Sequence, residues 1–135
     1  MRYCIEQETA TWKRKMAFKI HVIDVQNQLQ NYIWLIEECN SHNAVVIDPT
    51  ESGLVLEYCQ KHQLNLSQIW LTHWHKDHIG GVPELLLQQP VPVYGPREEL
   101  SHIPFISHPL GHDDHFQFHQ LRVDIIAVPG HTLGH

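Results

Sequence analysis

Apolar positions in this chain recur with two periods, and the switches between them mark out a series of short elements. Phe18–Asp24 alternates as a half-buried strand does, and residues 32–37 (Tyr-Ile-Trp-Leu-Ile-Glu) predict a second strand. Residues 44–48 (Ala-Val-Val-Ile-Asp) form a continuous apolar run stopped by Pro49, the mark of a strand buried on both faces. The period then changes over Ser52–His62, where Leu54, Val55, Tyr58 and Cys59 fall at helical spacing. The pattern next predicts a strand over residues 68–71, a helix over 82–89 with Pro83 in its first turn, and a strand over 91–94 ended by Gly95 and Pro96. Residues 97–112 read as loop or short helix. Residues 114–118 and 121–128 predict a hairpin around His119 and Gln120, followed by Pro129 and Gly130. Strands alternating with helices imply an α/β layered fold.

With 135 residues the chain has the length of one ordinary domain, and no repeat, low-complexity tract or linker divides it. The folded part is expected to be residues 16–135. Residues 1–15 hold Glu6, Glu8, Lys13, Arg14 and Lys15 and lack the apolar centre of a signal peptide, so they predict a disordered extension, with Met16 at the edge of the first strand-like segment. No apolar run approaches the roughly 18 residues of a membrane span. A net charge of −6 disfavours nucleic acid as a partner, because phosphate backbones are met by clustered Lys and Arg. Cys4, Cys39 and Cys59 are odd in number and far apart, with no C-x-x-C; neither a zinc ribbon nor a disulfide framework fits, and a reducing cytoplasm does. Histidine is the anomaly, at 13 residues. A metal held by this chain would be held by imidazole.

The histidines concentrate. Residues 72–81 read Thr-His-Trp-His-Lys-Asp-His-Ile-Gly-Gly, which places His73, His75, Asp77 and His78 within six positions. A second segment, residues 129–135 (Pro-Gly-His-Thr-Leu-Gly-His), carries His131 and His135. Extended backbone after a buried strand sends alternate side chains to one side, so His73 and His75 can reach one ion. Asp77 and His78 meet where the chain turns into a helix near Ile79, a place whose dipole suits a carboxylate, and they can begin a second position. His131 supplies a third imidazole for the first ion, and both segments follow strands at their carboxyl ends, where sites in α/β sheets form. His135 reads as support rather than as a ligand. Trp74 and Lys76 lie between ligands, placed to border a substrate. His112, His115 and His119 fall in a polar strand and turn, and His21, His42, His62, His102 and His108 read as surface or loop residues.

Taken with Asn31-Tyr32-Ile33-Trp34, Ile47-Asp48-Pro49 and Tyr94-Gly95-Pro96, these two segments resemble the metallo-β-lactamase superfamily, and within it the glyoxalase II branch of hydroxyacylglutathione hydrolases. The resemblance runs from about Phe18 to His135. It implies an αββα sandwich, of which this chain is the N-terminal half, a mixed sheet with flanking helices. It also implies a metal-dependent thioesterase with two divalent ions, zinc first and iron or manganese as alternatives. His73, His75 and His131 would hold the first ion, and Asp77 and His78 the second, with Asp77 also orienting the attacking hydroxide. The implied reaction takes S-D-lactoylglutathione and water to D-lactate and glutathione, the hydrolysis step of methylglyoxal detoxification, in the cytoplasm.

Members of the family continue beyond the equivalent of His135 to a bridging aspartate, a further histidine ligand and a helical region that grips glutathione. None of these has a counterpart in the chain, so no substrate-binding residue can be mapped, and the chain alone is expected to be inactive. Only one of the two sheets is expected, leaving Ile33, Leu35, Val45, Ile47, Ile69 and Leu71 partly uncovered and open to self-association. The competing readings are another enzyme of the superfamily, a persulfide dioxygenase with one iron or a lactonase, and a non-catalytic metal-binding fragment.

Overall fold

The structure, a computed structural model, describes residues 1–7 and 18–135. Among these residues the strands are β1 (Arg2–Gln7), β2 (Phe18–Asp24), β3 (Tyr32–Glu38), β4 (Asn43–Ile47), β5 (Asn65–Trp70), β6 (Val93–Pro96), β7 (His108–Leu110), β8 (His115–Phe118) and β9 (Leu121–Ile126). The helices are α1 (Ser52–His62), α2 (Lys76–Ile79) and α3 (Val82–Gln88), with a short 3-10 turn at Arg97–Glu99. Six strands form a mixed sheet in the order β2-β3-β4-β5-β6-β7, antiparallel from β2 to β4 and parallel from β4 to β7. The other three form an antiparallel sheet in the order β1-β9-β8.

Two cores hold these layers together. On one face of the large sheet, Ile33, Leu35, Val46, Ile69 and Leu71 pack with Val55 of α1 and Leu85 of α3. On the other, Ile36, Val45 and Trp70 meet Phe118, Leu121, Val123 and Ile125 of the small sheet. Neighbours in β4 therefore serve opposite cores, which is why Ala44, Val45 and Val46 are all fully buried and the run is continuously apolar. Each of the two valines stabilises the fold by about 1.5–3 kcal/mol on burial. Trp70 is the centre of the second core: it stacks on Tyr3 at 5.0 Å and meets the edge of Phe116 at 5.2 Å. Its indole N–H donates to Gln68 Oε1.

Several expectations change here. Residues 2–7, expected within a disordered extension, form β1, paired with β9 from Arg2 opposite Ile126 to Gln7 opposite Leu121. Tyr3 secures that strand to the large sheet by donating to Leu71 O at 2.8 Å. The rest of the expected extension up to residue 15, with Met16, lies outside the described residues. Both sheets, rather than one, are present. Val45 is fully buried beneath the small sheet and Ile47 half-exposed beside it, whereas Ile33, Leu35, Ile69 and Leu71 are fully buried on the other face, against α1 and α3. The uncovered apolar surface lies instead on β2 and β3, at Ile20, Val22, Tyr32 and Trp34, because the small sheet does not extend over that end of the large one. His21, expected at the surface, is buried. It shares the face of β2 that packs on α1, with Nε2 2.7 Å from Glu37 Oε2 and Nδ1 3.0 Å from Tyr58 Oη. Strand β5 starts at Asn65, three residues early, because a bulge at Ala44/Val45 lets its polar start pair with β4.

The β3–β4 turn that sets β4 in register is held by a buried carboxylate. Glu38 Oε1 accepts from the Asn40 backbone and side chain, and Oε2 accepts from the Ser41 backbone and hydroxyl, all within 3.1 Å. Burial alone would raise its pKa, but the Ser41 and Asn40 bonds outweigh burial and bring it from 4.5 to about 2. The folded-state value is depressed, so the stabilisation is complete above about pH 4.5 and is lost as pH falls toward 2. Its size is on the order of 3 kcal/mol. Urea unfolding of Glu38→Gln is expected to show a correspondingly lower stability at neutral pH and a flatter decline into acid than the parent chain. Parallel pH profiles for the two would contradict this reading.

Candidate metal centre

The site forms at one end of the large sheet, beyond the carboxyl ends of β4 and β5. Strand β4 delivers Asp48, whose φ of 48° lies in the left-handed region. That conformation is strained for most side chains and tolerated by Asp. Strand β5 delivers Thr72 and His73. The Asp48 carboxylate ties the two strand ends together: Thr72 N–H donates to Oδ1 at 2.8 Å and the Thr72 hydroxyl donates to Oδ2 at 2.6 Å.

This arrangement fixes the tautomer of His73. The single hydroxyl proton of Thr72 goes to Asp48, so Thr72 Oγ1 can only accept from His73 Nδ1, 2.8 Å away. The proton of the neutral ring thus sits on Nδ1, and Nε2 presents a bare lone pair. Nε2 is buried and has no hydrogen-bond partner. The ring cannot relieve this by taking up a proton. Burial, then the charges of His78, His135, His75 and His131, pushes its pKa down to about 3. A buried, unpartnered imidazole nitrogen among other imidazoles fits a transition-metal ion and little else.

Two groups of side chains converge around that nitrogen. His73, His75 and His131 bring ligand atoms within 4.8 Å of one another, with His75 Nδ1 and His131 Nε2 2.9 Å apart. Asp48, His73 and His78 do the same. His73 is common to both, its ring centroid lying 4.1 Å from that of His78 and 4.9 Å from that of His131. The two groups thus share one imidazole, and the first of them is the expected set His73, His75 and His131. His135 packs its ring against His73 at 4.6 Å and belongs to neither group.

Asp77 is in the first turn of α2, beside His78, with Oδ2 3.3 Å from Nε2. It too falls outside both groups. Asn31 Nδ2 donates to Asp77 Oδ2 at 3.1 Å, and Asn27 in turn fixes Asn31. Burial opposes ionisation of Asp77, but the Asn31 bond and the His78 charge prevail and lower its pKa. The opposite balance holds at His78: burial would lower its pKa, yet the hydrogen bond and charge of Asp48, with the charge of Asp77, raise it. Asp48 was not singled out as a ligand from the sequence, since it read as the end of a strand before Pro49. The signal that would have found it is an Asp at the carboxyl end of a buried parallel strand.

Gly80 and Gly81 explain how α2 comes so close. A Cβ on Gly81 would stand 2.7 Å from Pro49 O and Ser52 N, and one on Gly80 2.9 Å from Thr50 O. The two glycines let the α2–α3 junction press on the backbone after Asp48, carrying His78 to within 3.0 Å of its carboxylate. A cleft of about 350 Å³ opens beside the centre, lined by Trp74, His75, Glu98, His102, His131 and Leu133. Trp74 stacks on His102 at 4.8 Å, whereas Lys76 is exposed and takes no part in the lining. His112, His115 and His119 lie outside both groups.

The sequence profile of the Metallo-beta-lactamase superfamily matches residues 27–135, and the chain belongs to that superfamily. It is 46% identical over 106 residues to the hydroxyacylglutathione hydrolase of Aliivibrio fischeri (strain MJ11), a match covering 78% of this chain and 41% of that protein. Its identity to the hydroxyacylglutathione hydrolase of Vibrio cholerae serotype O1 is 43%, with the same coverage. The chain spans about two-fifths of the length of these relatives, matching their N-terminal part. Among solved structures it resembles the BLEG-1 B3 metallo-beta-lactamase, with a TM-score of 0.73 at 22% identity over 86% of this chain and 64% of that one. It also resembles ETHE1 from Myxococcus xanthus, with a TM-score of 0.69 at 27% identity over 88% and 51% of the two chains. Membership of this superfamily implies divalent metal binding.

The hydrogen-bonded path to His73 makes a specific demand. Thr72→Val removes the hydroxyl that orients the ring without removing a ligand, and it is expected to weaken zinc binding by about 10–100-fold in equilibrium dialysis. His73→Ala is expected to abolish stoichiometric uptake, since both groups lose their common member. Zinc binding by Thr72→Val that matches the parent chain would contradict the assigned tautomer.

Proposed function

We propose that this chain carries the metal-binding part of a thioester hydrolase of the hydroxyacylglutathione hydrolase type, acting on S-D-lactoylglutathione. The observation that carries the reading is the bare, buried Nε2 of His73 at the meeting point of two ligand groups; the 46% identity to the Aliivibrio fischeri enzyme supports the substrate class. His73, His75 and His131 would hold one divalent ion. His78 would hold a second with Asp77 or, on the geometry, Asp48. Zinc suits this imidazole and carboxylate set, with iron or manganese as alternatives. Such ions, when bound, supply a polarising charge for the thioester carbonyl and make water a nucleophile near neutral pH.

The chain's own groups do the rest. Asp77, ionised and aimed by Asn31, would hold the attacking water by accepting its proton at Oδ1 or Oδ2. Thr72, itself held by Asp48, orients His73, and burial keeps the ring neutral. Trp74 and Leu133 would border the acyl or glutathione part of the substrate in the cleft and shield it from bulk water. The domain would be residues 16–135 together with the strand Arg2–Gln7, working in the cytoplasm. A second reading, a one-iron persulfide dioxygenase, is favoured by the sharing of His73 between the two groups. Purified chain is expected to take up zinc stoichiometrically and lose it to a chelator, and to release glutathione from S-D-lactoylglutathione when joined to the C-terminal part of a relative such as the Aliivibrio fischeri enzyme. A joined protein that holds zinc without thioester turnover would leave a non-catalytic metal-binding fragment as the answer; iron with thiol-dependent oxygen uptake would favour the dioxygenase.

Copies of the chain are also proposed to associate through the uncovered Ile20, Val22, Tyr32 and Trp34 surface. Sedimentation is expected to show concentration-dependent association that Ile20→Lys with Trp34→Lys removes; a parent chain that stays monomeric at high concentration would refute it.

A further inference from the structure

We propose that Glu99 is a positioning residue for His131, anchoring the loop of residues 129–135 to the body of the domain so that the His131 ring meets His73 and His75. The inference rests on the metal reading above and adds to it a carboxylate outside both ligand groups.

The loop needs such an anchor. His131 and Leu133 are exposed. Two hydrogen bonds close the loop on itself: Val128 N–H to His135 O at 2.6 Å and Gly130 N–H to Thr132 O at 3.1 Å. Neither ties it to another element. Apart from the contact of His131 with His75, the hydrogen bond that reaches from residues 129–135 to the rest of the domain, among the described residues, is from Gly134 N–H to Glu99 Oε1 at 3.1 Å. The two partners are 35 positions apart in the chain.

Glu99 is an unusual residue to find there. It is only 3% exposed, and its second oxygen is buried without a partner. A carboxylate desolvated for one neutral N–H donor gains little stability from the exchange. Its consequence is geometric. Glu99 ends the 3-10 turn that directly follows β6, and β6 pairs in parallel with β5, the strand that delivers His73. Tethering Gly134 to Glu99 therefore refers the His131 loop to the same pair of strands that fixes His73. Gly134 is matched to this contact: a Cβ there would lie 2.5 Å from Glu99 Cγ, closer than real Cβ atoms approach. Glu99 also lines the same cleft as His75 and His131.

The test is cobalt binding by the full chain, followed through the visible absorption of Co(II), which reports coordination number and geometry directly. Glu99→Ala is expected to weaken Co(II) binding by about 10–100-fold and to change the absorption band, with far-UV circular dichroism unchanged. Glu99→Gln, whose amide oxygen can still accept from Gly134 N–H, is expected to restore most of the affinity and the parent spectrum. Gly134→Ala, which forces the loop off Glu99, is expected to reproduce the Glu99→Ala loss; should Glu99→Ala fail to fold, this variant decides. Parent-like affinity and spectra in both Glu99→Ala and Gly134→Ala would overturn the proposal, as would a loss in Glu99→Gln equal to that in Glu99→Ala. A parent chain that takes up no Co(II) would remove the metal reading as well, which separates that failure from a failure of the tether alone.

Discussion

The hydrogen-bonded path from Asp48 through Thr72 to His73 is the constraint on which the rest of the site depends. It couples the ends of two parallel strands, decides which ring nitrogen of His73 carries the proton, and leaves the other as an orphan in the protein interior. An unpartnered buried nitrogen is unfavourable by about 1–3 kcal/mol, a cost that an ion bound there would remove. Asp48 serves twice, since the same Oδ2 that accepts from Thr72 also lies 3.0 Å from His78 Nδ1. A left-handed backbone at Asp48 is consistent with strain held at a functional site.

The two-core architecture explains why this path can be rigid. Val46 and Ile69 press the parallel strands against the helices, while Val45 and Trp70 press them against the small sheet from the other side. Strands packed on both faces carry their ends to fixed places, and the ligand-bearing segments need only short connections beyond them. The loop of residues 129–135 is different. It leaves the small sheet, its imidazole is exposed, and beyond the packing of His135 on His73 it depends on a tether.

Much of this was legible in the sequence, for definable reasons. Phe18–Asp24 and Ser52–His62 stand at the bounds their periods predict, because one face of each is buried and the other is not. The His73–His78 cluster announces itself by density alone. What escaped was whatever depends on partners distant in the chain. Asp48 reads as the stop of an apolar run until Thr72 and His78 are placed beside it. Glu99, in a stretch that reads as loop, acquires meaning only against Gly134. Residues 2–7 mix charge with apolar side chains in six positions, too short a pattern to separate a strand from an extension, and pairing with β9 settles them. The uncovered apolar surface was expected on β3, β4 and β5 and lies on β2 and the opposite face of β3, since alternation tells which residues share a face but not which part of that face another sheet will cover.

The central claim, that His73 presents a deprotonated Nε2 held ready by Asp48 and Thr72, can be read directly by nuclear magnetic resonance. Long-range proton–nitrogen spectra of the chain with nitrogen-15-labelled histidine distinguish the two neutral tautomers and the charged ring at each position. Metal-free chain near neutral pH is predicted to show His73 neutral with its proton on Nδ1, and zinc is predicted to shift Nε2 while Nδ1 keeps its proton. A His73 that is charged, or protonated on Nε2, or unmoved by stoichiometric zinc would contradict the account.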